Sequence, residues 1–150
     1  MTDSNEKTNS NHALHAWRWF DLHSRQRMQN FNFFVVLFAA ACSALATSYS
    51  ADFVEGIVGS AVALMTLSLV FKLLDMRTSF LIKLSEEALK VYERNEFSSE
   101  LDNAMQLVHL SDANPSGPTY RTSFNIIFSF AACIGFLAIL SQILEAQDGI

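Results

Sequence analysis

Charge is missing from long parts of this chain. Met28 to Ala51 holds no Asp, Glu, Lys or Arg, and neither does Thr122 to Leu144. Between Phe53 and Leu74 only Glu55 and Lys72 are charged, each near an end. A helix that crosses a bilayer needs ~20 mostly apolar residues. Three spans are therefore expected, at about 31–49, 53–74 and 123–144. No Asp, Glu, Lys, Arg or His lies at mid-depth in any of them. Proton- and ion-coupled carriers place such groups there, so that class is set aside.

Cysteine is scarce too. Cys42 and Cys133 are the two in the chain, both inside expected spans and at no metal-binding spacing. They read as small apolar residues at similar depths, with no disulfide expected. Neither proline nor glycine interrupts residues 12–49 or 76–94, so the first two helices are expected to run past their spans. The chain also lacks a glycine-rich phosphate loop, an ordered Ser/His/Asp set and a nucleic-acid motif. The charge of the middle segment is roughly balanced, whereas nucleic-acid binding needs a basic surface. The expectation is a protein that is not an enzyme, with no cofactor, no metal and no nucleic-acid partner.

What is present is a chain of 150 residues, 51% apolar and 17% charged, with net charge −5. All ten basic residues fall in two places. Lys7, Arg18, Arg25 and Arg27 precede the first span, and Lys72 to Arg121 hold the other six. The first loop carries Asp52 and no base, and the C-terminus carries Glu145 and Asp148 and no base. Lys and Arg accumulate on the cytoplasmic side. The N-terminus and the long middle segment are thus expected inside, and the C-terminus outside. The first apolar run begins near residue 31, too far in for a signal peptide, so that span is expected to be retained. Met1 to Asn11 is polar and is expected to be a disordered tail.

The fold expected is an all-α membrane protein, one helical domain over 12–150. Helical extensions at about 12–30, 76–96 and 99–110 would form a small cytoplasmic bundle. Ala13, Leu14, Trp17, Ser24, Met28 and Phe31 supply one apolar stripe. Phe80, Leu84, Ala88 and Val91 supply a second, and Leu101, Met105 and Val108 a third. Ser98 or Ser99 can cap the short helix, and Asn114 to Pro118 stops it. The stripes are expected to bury against each other or against another subunit. That apolar supply is thin for a self-contained core, which favours a homo-oligomer.

Several patterns carry candidate chemistry. Asn32 and Asn125 sit just inside the cytoplasmic edge and are the candidates for a pore lining assembled from several copies. The plainer reading of these and of the Ser and Thr residues in the spans is hydrogen bonding between helices or back to the helix's own carbonyls. Arg18 and His23 stand in an R-x4-H spacing used by helical ribonuclease domains, a spacing chance supplies readily. His12, His15, His23 and His109 lack the grouping a metal needs. Arg25, Arg27, Arg77 and Arg121 flank the spans, where bases meet anionic headgroups. His23, Gln26, Arg27 and Asn30 lie within two turns of one another. They suit a helix–helix contact, with Asp75 or Glu86 as partner, or a gate at the membrane boundary.

The segment Phe20 to Phe34 carries a resemblance through His23, Gln26, Arg27, Phe31, Asn32, Phe33 and Phe34, with Ser24 where Ala is usual. It resembles the opening of small bacterial multi-pass membrane proteins associated with anti-phage defence, including retron- and CRISPR-linked membrane effectors. The resemblance implies bacterial origin and a defence role. The reading that follows is a small inner-membrane effector that oligomerises and permeabilises the bilayer. The alternatives are a membrane adaptor for a cytoplasmic protein partner and a ribonuclease-like protein using Arg18 and His23.

Overall fold

The computed structural model describes residues 2–96, 107, 108, 110 and 120–148. It is all-helical over the described residues, with α1 at Thr2–Ser50, α2 at Val54–Glu96 and α3 at Tyr120–Asp148. Each helix is long and apolar enough to cross a membrane. The helix covers residues 2–11 as well, where a disordered tail was expected. No glycine or proline stands in the first fifty residues to stop a helix from propagating. Residues 107, 108 and 110 are helical; the rest of the short helix expected at 99–110, and the Asn114–Pro118 stop, lie outside the described residues.

The chain divides into two compact units, Met1–Arg27 with Arg77–Thr119, and Met28–Met76 with Tyr120–Ile150. The second, apolar unit has two core clusters. One gathers Leu45, Ile57, Ala61, Leu64 and Ala138, with Phe38 and Cys42 against it. The other gathers Phe34, Phe124, Phe128 and Ala131, with Phe31, Phe38 and Phe71 alongside. Phe34 is 1% exposed. Its ring meets Phe128 edge-on at 4.7 Å, Phe71 at 5.5 Å and Phe38 at 5.7 Å. Phe31 stacks on Phe124 at 4.3 Å. Each such pair contributes ~0.5–1.5 kcal/mol beyond its burial, which matters in lipid, where apolar surface gains little by leaving the solvent. Cys133 is exposed and Cys42 half-buried; both are free.

The link between α1 and α2 is short because it closes a tight helix end. Phe53 N–H donates to the Ser48 carbonyl at 3.0 Å and Asp52 N–H to the Tyr49 carbonyl at 3.3 Å, with Asp52 at φ 49°. This is a Schellman end with Asp in the left-handed position that glycine usually takes. Farther along, the Tyr49 hydroxyl lies 2.6 Å from Ser141 Oγ, a polar tie between α1 and α3.

In the first unit, the two apolar stripes expected on α1 and α2 stay largely exposed within one copy. On α2 the buried residues are Thr78, Ser79, Ser85, Ile82 and Leu89, while Phe80, Leu84, Ala88 and Val91 face outward. On α1, His23 is buried, and Leu14 and Trp17 are exposed. Small hydroxyl side chains sit inside without loss because they bond their own helix: Ser85 Oγ donates to the Ile82 carbonyl at 2.6 Å.

Gly135 shows how closely α3 approaches α2. A Cβ there would meet the Ala61 carbonyl at 2.7 Å and the Met65 side chain at 2.9 Å. At Gly59 it would meet nothing within 4 Å. Gly135→Ala should therefore lower the thermal midpoint in detergent. Gly59→Ala should raise stability by ~0.5–1 kcal/mol through helix propensity alone. Equal responses from the two variants would contradict the close approach.

Candidate functional site

His23 is the buried titratable side chain on the charged half of α1, 9% exposed. Its position follows from helical spacing. His15, Trp19 and His23 recur every four residues, so their rings form one ladder. Trp19 lies 4.8 Å edge-on to His23 and 6.3 Å from His15. His23 Nδ1 is 3.2 Å from Gln26 Oε1. An amide oxygen only accepts, so Nδ1 carries the hydrogen in this contact. Nε2 is buried and has no partner among the described residues.

Of the motif read from sequence, His23 and Gln26 are in contact. His23, Gln26 and Arg27 belong to the first unit, and Asn30 to the apolar unit. Gln26 is exposed, while Arg27 and Asn30 are half-buried, and Arg27 makes contacts of its own. Asp75 and Glu86 are likewise engaged, and Asp75 is 7% exposed. Arg18 is exposed whereas His23 is buried. Five residues of helix turn the two about 140° apart, so the structure does not bring the R-x4-H pair together. His15 is exposed beside Trp19. His109 and the side chain of His12 lie outside the described residues. Flanking charges pair along their own helices: Arg25 bonds Asp21 at 2.9 Å, and Lys90 bonds Glu87 at 2.8 Å.

In the apolar unit, Phe31 and Phe34 turn inward, and Asn32 and Phe33 turn outward. Asn32 is exposed and Asn125 half-buried. A cavity of about 380 Å³ opens between α2 and α3, lined by Thr66, Ser68, Lys72, Phe128 and Ser129 among others. Sequence reasoning did not single out this group. Ser68 and Lys72 share a helix face at i, i+4, a signal that was available, but Ser129 comes from another helix and only packing brings it there. The hydroxyls of Ser43, Thr47 and Ser68 each bond the carbonyl four residues back, at 2.8–2.9 Å. Ser and Thr can thus face lipid at little cost.

An unpartnered buried nitrogen costs ~1–3 kcal/mol. His23→Phe keeps a ring against Trp19 and removes that nitrogen, so thermal unfolding in detergent should show no loss and a gain of about 1 kcal/mol. His23→Ala should cost about 2 kcal/mol or more by leaving a hole. A His23→Phe variant as unstable as His23→Ala would contradict the burial of a free Nε2.

No family model matches the chain, and no solved structure matches it. A curated protein does. The chain is 34% identical over 139 residues to CD-NTase-associated protein 19 of Escherichia coli, a match covering 86% of this chain and 87% of that protein. At that identity and coverage, the chain belongs to the family of CD-NTase-associated protein 19.

Proposed function

We propose that the chain is a small inner-membrane effector of anti-phage defence, acting with a CD-NTase, that assembles in several copies and permeabilises the bilayer. The relative's name supports the link to a CD-NTase and hence to a CBASS-type defence system. That link takes the place of the retron or CRISPR connection suggested by the Phe20–Phe34 segment. The N-terminus and the charged middle segment lie inside and the C-terminus outside in this reading, by the placement of Lys and Arg.

One observation carries the permeabilising role. The interior of the apolar unit is closed by aromatic and aliphatic side chains, while Asn32, Thr66 and Ser129 are exposed on its outside. A single copy offers water no path through such a core. Several copies arranged with those outer residues facing one another would line one. Only 11–28% of each helix's apolar window is buried within the chain, which leaves surface for both lipid and neighbours. Asn125, half-buried, serves as a contact between helices. The trigger is the CD-NTase or its product, received by the charged unit.

The test is depolarisation of phage-infected cells that express the chain with its CD-NTase, followed with a potential-sensitive dye. The wild type should depolarise the membrane. Asn32→Leu with Ser129→Leu should reduce the response by about tenfold while the protein still inserts; a loss that size reflects ~1.4 kcal/mol in the conducting state. An unchanged response in the double variant would remove this lining. A silent wild type would overturn the effector reading and leave a non-enzymatic adaptor for a cytoplasmic partner.

A further inference from the structure

The segment of α2 from Arg77 to Arg94 exposes its most apolar side. Phe80 is 66% exposed, Leu84 57% and Val91 62%, while Thr78, Ser79 and Ser85 are buried at 4–8%. An amphipathic helix in a finished bundle does the opposite. Leu84 and Ala88 also line a groove of about 410 Å³, closed on its far side by His15, Ala16 and Trp19 of α1. Stripe and groove are rimmed by the exposed cations Arg77, Lys83 and Arg94. Glu87, the acid on that side, is occupied by Lys90 at 2.8 Å. The surface is apolar with a basic border.

The chain carries the complement. Between Arg94 and Arg121 there is no Lys or Arg, and Glu96, Glu100, Asp102 and Asp112 stand among Phe97, Leu101, Met105 and Leu110. The described part of that stretch is tied to the opposite side of α2. Val108 N–H donates to both oxygens of Glu93, at 3.2 and 3.4 Å. Helical rotation puts Glu93 about 180° from Leu84. Leu107 and Leu110 of the same copy are themselves 66% and 41% exposed, so they do not cover the stripe.

We propose that the stripe of Phe80, Leu84 and Val91, with its basic rim, receives the acidic stretch 96–112 of a second copy of this chain. Each copy then offers one donor and one acceptor surface. Contacts of that head-to-tail kind form a ring where the rotation between copies closes. The inference rests on the multi-copy reading above and adds the surface that builds it.

Charge exchange tests it with full-length protein in zwitterionic lipid nanodiscs, using two differently tagged preparations. The first carries Lys83→Glu with Arg94→Glu, and the second Glu100→Lys with Asp102→Lys. Each alone should lose co-purification of tagged with untagged copies by about tenfold or more, because like charges face each other. Mixed, they should recover to within about twofold of wild type, since every interface in an alternating assembly is again of opposite charge. Phe80→Asp should lose assembly in either background. If either charge variant assembles alone as wild type does, the spans hold the copies together; this inference fails and the multi-copy reading stands. If both lose assembly and the mixture does not recover, the stripe serves another occupant and the inference fails. Binding of the wild type, but not of the Lys83→Glu, Arg94→Glu variant, to vesicles of anionic lipid would then identify that occupant as the bilayer surface. If wild type is a single copy, both readings fail together.

Discussion

Phe34 is the residue on which the apolar unit depends. It is almost wholly buried, and its ring touches one ring from its own helix, one from α2 and one from α3. In a bilayer nothing pushes apolar side chains together except packing, so a cluster of interlocking rings is an efficient way to hold three helices in one register. The other end of the unit uses small residues. Ala61, Ala131 and Ala138 are buried there, and Gly135 allows the α2 backbone within contact distance. Rings at one end and close backbones at the other leave no polar side chain in either core cluster. Ser60 and Ser68 are buried in the spans with their hydroxyls bonded to their own helix, while Asn32, Thr66 and Ser129 are exposed.

The spans were legible because lipid imposes a constraint readable from composition: ~20 residues without charge. The run Phe31-Asn32-Phe33-Phe34 was legible as a motif but not as a geometry. Its inward members, Phe31 and Phe34, are three apart, which is the helical repeat. Asn32 and Phe33 between them must then face out. The choice of Asn32 as a polar residue worth noticing came from sequence, and its outward aim is a consequence of what Phe31 and Phe34 pack against. Thr66, Ser68 and Ser129 could not be grouped in advance, because two helices distant in sequence build that cavity.

In the charged unit, periodicity identified the stripe Phe80, Leu84, Ala88 and Val91 as a face to be covered, by the other helical extensions or by another subunit. The structure buries Thr78, Ser79 and Ser85 together with Ile82 and Leu89, and the Ser85 hydroxyl bonds its own helix. Periodicity shows that a face wants to be covered but not by which molecule. In the proposed assembly, a second copy covers that outward stripe.

In the proposed assembly one copy is incomplete: Asn32, Thr66 and Ser129 are exposed among the apolar side chains outside its spans, and Phe80, Leu84 and Val91 are exposed on its charged unit. The most direct measurement is the mass of the protein particle in a lipid nanodisc. A closed assembly on the order of five or more copies is the expected result. A particle of one or two copies would contradict the account, because the outer polar residues could then enclose nothing.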